Sequence, residues 1–163
     1  MKRFLRIAVA AVALFQAQVS AEHLGDSPAS PTSVVRDYFA FLQVGNIEAL
    51  FDLFDDNIIW HQPGDNRLSN TYVGKAELSV LFQNFMDISG GTFKIDEVST
   101  IMANADFVTA NLKFSATRCQ YFEVSMSMAG IDVMKVKDGK IMEVWLFSED
   151  QDSEDHFWGK KFD

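Results

Sequence analysis

Three helical stretches followed by a run of alternating strands predict an α+β fold for this 163-residue chain. Three N-terminal helices would pack on a strongly curved, mostly antiparallel β-sheet that closes into a cone-shaped barrel with an interior pocket. Three observations carry this expectation. Apolar residues recur at helical spacing in the first half and at strand spacing in the second. Turn signals at Asn104-Ala105-Asp106 and Lys137-Asp138-Gly139-Lys140 help to divide the second half into the four strands of a meander. Only two of the 15 Phe, and none of the three Trp, lie before residue 22, so the remainder can build a real core and disorder is excluded.

The elements follow in order. Residues 1–21 carry Lys2, Arg3 and Arg6, no acid, an apolar run from Ile7 to Phe15, and a small-x-small ending, Val19-Ser20-Ala21. This predicts a cleaved signal peptide and export to the periplasm or the medium. The run is about half of the ~20 apolar residues that span a bilayer, so no membrane anchor is expected. Residues 22–31 form a flexible Ser-, Pro- and Gly-containing lead-in to a domain over 32–148. Ser30-Pro31 supplies an N-cap and a first-turn proline. Val34, Val35, Tyr38, Phe39, Phe41 and Leu42 then mark a helix that stops at Gly45. Asn46 caps a second helix bearing Ile47, Leu50, Phe51, Leu53 and Phe54. A strand covers Asn57 to His61, a turn-rich loop covers Gln62 to Thr71, and a third helix runs from Lys75 to Ser89 before Gly90-Gly91. Strands follow at Thr92–Met102, Phe107–Arg118, Tyr121–Val136 and Ile141–Phe147. Residues 149–163 read as an acidic C-terminal tail, a solvated charge run from which Phe157-Trp158 folds back as a plug.

Charge and cysteine usage exclude several function classes. The chain has 14 bases and 23 acids, and losing the three bases of the leader moves the formal charge from −9 to −12. Such a surface repels phosphate backbones, so neither nucleic acid nor an anionic membrane is an expected partner. Cys119 is the single cysteine. It cannot form an intramolecular disulfide or build a cysteine zinc site. No metal or cofactor motif is present, and none is expected.

Three positions set polar chemistry in apolar surroundings. Asp132 shares a period-two row with Val124, Met126, Met128, Met134 and Val136. Buried there, it would be a protonated donor near neutral pH, whereas a bulge at Ala129-Gly130 would turn it out to solvent. Tyr38 lies on the inward stripe of the first helix, where its phenol needs a hydrogen-bond partner or packs as core. His61 stands where a strand enters a loop and could act as acid or base, although alternation places it opposite Trp60 and Gln62. Trp60, Gln62, Met126, Met128, Met134 and Trp145 are the expected walls of a small-molecule pocket.

The run VVRDYFAFLQVGNIEALFDLFDDNIIWHQPGDN, the later YVG, and the hairpin VKDGKIMEVWLF resemble the SnoaL-like polyketide cyclase family. That family belongs to the nuclear-transport-factor-2-like superfamily, which also holds ketosteroid isomerase. The resemblance covers Thr32 to Phe147, and Asp155-x-Phe157-Trp158 also looks familial. It implies the same cone-shaped fold and, commonly, a homodimer formed through the outer sheet face. The polar row Thr109, Asn111, Lys113, Ser115 and Thr117 would permit a wet interface there.

Against the isomerase branch, the oxyanion-hole tyrosine falls on Tyr38 and the protonated aspartic acid on Asp132. The base, an Asp before Pro, falls on Gln62, and an amide cannot abstract a proton from carbon. The resemblance therefore implies a pocket that grips a carbonyl or enolate oxygen, with His61 or Asp65 as replacement bases and Asp132 as acid/base in a cyclase-like reaction. Two function classes stand. One is cofactor-free acid/base catalysis (isomerase, cyclase or lyase) on an apolar, carbonyl-bearing ligand. The other is a non-catalytic ligand-binding or interaction module.

Overall fold

The computed structural model describes residues 29–119 and 123–161. The expected leader and most of the lead-in lie outside the described residues, as do Tyr121 and Phe122. Helix α1 spans Pro31–Val44. The Ser30 hydroxyl accepts from Ser33 N at 3.2 Å, and Gly45 closes the helix in the left-handed region at φ 69°. Helix α2, Ile47–Asp52, is capped by Asn46, which accepts from Ala49 N at 3.2 Å. Strand β1 begins immediately, at Phe54, and runs to Gln62.

The turn-rich loop ends in a short strand, β2 (Asn70–Val73), that pairs antiparallel with β1. Its four residues are too few for alternation to betray it in the sequence. Helix α3 covers Gly74–Ser89, and the Glu77 side chain accepts from Val73 N at 2.8 Å, satisfying one of the exposed donors at its start. Strands β3 (Lys94–Asn104), β4 (Phe107–Cys119), β5 (Glu123–Lys137) and β6 (Lys140–Ser148) form the meander. The β5–β6 turn places Asp138 at φ 51° and Gly139 at φ 77°, the two positive angles that suit a two-residue hairpin.

The six strands make one curved sheet in the order β2-β1-β6-β5-β4-β3. All neighbours are antiparallel except β1 and β6, which run parallel with Trp60 beside Val144. Helices α1 and α3 fill the concave side, α1 chiefly against β3 and α3 against β1. Val34, Val35, Leu50, Phe54, Ile58, Leu78 and Leu81 are buried there. None of the helices of the described residues is long and apolar enough to cross a membrane.

The C-terminal segment corrects one expectation. Residues 149–163 are not merely a solvated tail, because Gln151–Trp158 forms a fourth helix, α4, that completes the core. Glu149, Asp150 and Asp152 face solvent, but Glu154, Phe157 and Trp158 are buried. Glu154, Phe157 and Trp158 are spaced i, i+3 and i+4 and so share one helical face. Trp158 packs at a tilt against Phe85 and Phe93, with ring centroids at 5.0 and 5.8 Å. Asp155 ties the helix to the β1–β2 loop. Its carboxylate accepts from Asp65 N and Asn66 Nδ2, both at 2.7 Å, and from Gln151 Nε2 at 2.9 Å. Gly64, at φ 85°, permits this approach, because a Cβ there would lie 1.9 Å from an Asp155 oxygen.

Candidate functional site

Between the helices and the concave sheet lies a cavity of about 590 Å³. Its walls are mainly aromatic and aliphatic, including Phe51, Trp60, Phe82, Phe85, Leu112 and Leu146. That combination of an apolar body with few polar groups is the usual make-up of a small-molecule site.

Asp132 enters from β5. The β4–β5 register runs unbroken from Phe107–Lys135 to Cys119–Glu123, so no bulge inverts the row at Ala129-Gly130. Asp132 consequently points inward, 8% exposed, with the small Ala110 and Leu146 as its cross-strand neighbours. Burial, reinforced by the charge of Glu154, pushes its carboxyl from the ordinary 3.8 up to about 7. Tyr38 enters from α1 and is 3% exposed, its ring edge-on to Phe39 and Phe54. Burial, and then the charge of Asp132, hold its phenol well above the ordinary value, so it keeps its proton. Among the described residues neither group has a hydrogen-bond partner, and both line the cavity. Two buried polar groups thus offer unmade hydrogen bonds to whatever occupies that space.

Gln62 is the third polar group, 6% exposed at the end of β1. Its Oε1 accepts from Trp60 Nε1 at 3.2 Å. An indole N–H only donates, so the amide oxygen must face Trp60 and the amide NH₂ is left to donate. The fourth, Glu154, was not singled out from sequence, because it sits inside an acidic run. Its i, i+3, i+4 relation to Phe157 and Trp158 was the available signal. It accepts from Trp158 Nε1 at 3.0 Å, from Gln151 Nε2 at 3.2 Å, and from the Ser148 hydroxyl. Burial raises its carboxyl above the ordinary value despite these donors.

The remaining candidates are placed elsewhere. His61 projects from the convex face of the sheet, its Nε2 2.8 Å from Glu143 and its ring stacked 5.5 Å from that of Trp145. Trp145 lies on that face too, because Val144 and Leu146 take the inward positions of β6; both His61 and Trp145 are therefore corrected as cavity residues. Met126 and Met128 share the inward row of Asp132, but farther along β5 they border a separate, more open hollow beside α4. Met134 is fully buried core, paired with Val108 and Val144. Asp65 is exposed in the β1–β2 loop. Tyr38, Asp132, Trp60 and Gln62 are the expected residues that come together. Among the described residues, no three His, Cys, Asp or Glu side chains gather as a metal site.

The profile of the SnoaL-like domain matches residues 35–144, from the second turn of α1 to the middle of β6. The chain belongs to the SnoaL-like family. Its solved relatives include a Xanthomonas campestris protein of unknown function with a cystatin-like fold. That protein is 36% identical, with a TM-score of 0.77 over 81% of this chain and 100% of the other. Bal32a, from a soil-derived mobile gene cassette, is 25% identical, with a TM-score of 0.72 over 78% of this chain and 95% of its own. A nuclear-transport-factor-2-like protein from Burkholderia xenovorans shares the fold at 19% identity, with a TM-score of 0.67 over 83% and 100% of the two chains. No curated protein matches the sequence. The SnoaL-like profile ends before α4, so Glu154 and Trp158 complete the cavity from beyond the matched segment.

Proposed function

We propose that this SnoaL-like protein binds an apolar, carbonyl-bearing small molecule and performs cofactor-free acid/base chemistry on it, as an isomerase, cyclase or lyase. One observation carries the reading: the Tyr38 hydroxyl and the Asp132 carboxyl are buried, unpartnered and turned to the same apolar cavity. A neutral Asp132 donates as Tyr38 does, and two donors aimed at one oxygen favour the form in which that oxygen carries negative charge. The Gln62 amide adds a donor near the same space. Because the cavity walls are mainly apolar, these bonds are stronger than they would be in water.

2-Naphthol tests the grip, since it presents an enol-like hydroxyl on a flat apolar body. Tyr38→Phe and Asp132→Leu each remove a donor and should weaken its binding about tenfold or more, the effect of losing a hydrogen bond to a charge-bearing partner (about 1.5–3 kcal/mol). Equal affinities by fluorescence titration for wild type and both variants would sink the reading.

The protein acts outside the cytoplasm in this proposal, exported by the leader at 1–21. N-terminal sequencing of the protein from its own host should then begin at Glu22, and an intact leader would refute export. It works as a homodimer through the convex sheet face, where Ile131 pairs with Phe147 and both are exposed.

A further inference from the structure

We infer that Glu154 is the proton acceptor of this cavity, removing a proton from the carbon next to a ligand carbonyl held by Tyr38 and Asp132. The inference rests on the carbonyl-grip reading and goes beyond it by assigning the proton transfer. The cavity needs such a group, because Gln62 is an amide, His61 faces the convex side and Asp65 lies in an exposed loop. Among the described residues the cavity is lined by two carboxyl groups, Asp132 and Glu154, and by no histidine.

The hydrogen bonds divide the labour between those two. A carboxylate has about four lone-pair sites. In Glu154 three are taken by Trp158 Nε1 (3.0 Å), Gln151 Nε2 (3.2 Å) and the Ser148 hydroxyl, which orient the group and leave one site open. Asp132 has no donor. A single negative charge shared by two buried acids settles where the donors are, so Glu154 is the carboxylate and Asp132 the acid. No salt bridge reaches Glu154 among the described residues, and Lys94, the cation that lines the same cavity, pairs instead with Asp96 at 2.9 Å. Its own surroundings add Asp155, whose charge disfavours ionisation of Glu154 and strengthens it as a base.

The step balances without a co-reactant. A Glu154 oxygen takes the proton, and the C–H electron pair becomes the enolate double bond. The carbonyl pair moves to oxygen, where the Tyr38 and Asp132 O–H groups meet it. Glu154 then either trades this proton with solvent and delivers the new one to the same carbon, which is exchange, or passes it to a conjugated carbon, which is a double-bond shift. A purely structural Glu154 would only anchor Trp158 and close α4.

Exchange of the C1 protons of 2-tetralone in heavy water, followed by proton NMR with the full-length protein, separates the two roles. Wild type should exchange them faster than buffer. Glu154→Gln, which keeps an oxygen acceptor for Trp158, should slow the catalysed rate about 100-fold or more, as loss of a general base does. Its 2-naphthol affinity should hold or rise, because a negative charge has left the cavity. Ser148→Ala removes one donor from the carboxylate and should move the acid limb of the exchange profile to higher pH. The assignment is overturned if wild type binds 2-naphthol but does not exchange, if Glu154→Gln exchanges like wild type, or if Ser148→Ala leaves the profile in place. Failure of wild type to bind 2-naphthol overturns the carbonyl grip beneath it.

Discussion

Asp132 stores the clearest pH dependence of any single residue in the chain. Its carboxyl lies at about 7 in the folded protein and near 3.8 when exposed. Between those values the native state holds a proton that the unfolded state has released, so stability falls as pH rises through that window. The span corresponds to roughly 4 kcal/mol, fully present below pH 4 and gone above about 7. Asp132→Asn mimics the neutral acid and should escape this loss. Urea denaturation should find the variant gaining on wild type from pH 4 to 8, and a constant gap would refute the buried acid. The inward position of Asp132 was legible in the sequence, because its row holds Met126, Met128 and Met134 at strict period two. What the row could not contain was Glu154, eighteen or more residues along and on a different element. The alternation that placed Trp60 opposite His61 was also legible, and the same rule applied to β6 puts Trp145 outside, beside His61.

Helix α4 shows how much one short element can do. Eight residues are too few to form a stable helix alone, so packing and tethering must hold it. Its tether is the Asp155 carboxylate, which serves Asp65 N, Asn66 Nδ2 and Gln151 Nε2 together. Asn66 is fully buried. Asp155→Ala therefore leaves a buried amide group unpaired, and should cost about 1–3 kcal/mol in chemical denaturation. Because α4 carries Glu154 and Trp158, the same variant should also bind 2-naphthol more weakly. A variant as stable as wild type would show that the loop and helix are not coupled through this residue. Sequence composition pointed the other way, since five acids in Ser148–Asp155 read as a solvated run. The helical face beneath those acids is only three residues wide, a weak periodic signal that tertiary packing turns into a buried one.

At the scale of the whole molecule, the sheet has a filled concave side and a convex side with apolar surface left over. Phe107, Ile131 and Phe147 are each more than two-fifths exposed, and Trp145 lies between Phe107 and His61. A contiguous convex patch of this kind marks an interaction surface, and a second copy is the proposed occupant. Ile131→Lys should convert a dimer to a monomer in sedimentation equilibrium while leaving 2-naphthol binding intact, because Ile131 is exposed and does not line the cavity. A wild-type monomer would refute the dimer. The apolar centre lies on β5 and β6, whereas the polar row Thr109 to Thr117 on β4 flanks it. Sequence alternation found that row correctly but gave no ranking of the strands across the sheet.

The sequence by itself determined the class of fold, the order of its first three helices and four meander strands, and the family. These depend on local periodicity, caps and turn residues, which act over a few positions. It also exposed Tyr38 and Asp132, because a polar group on an apolar stripe is visible one element at a time. Only the tertiary structure decided which candidates meet. Whether His61 and Trp145 face inward, where the Met126 row ends, and which distant carboxylate shares the cavity with Asp132 depend on pairings between elements far apart in the chain. The cavity is a property of those pairings, since Tyr38, Gln62, Asp132 and Glu154 come to it from α1, β1, β5 and α4, and no local pattern can bring them together.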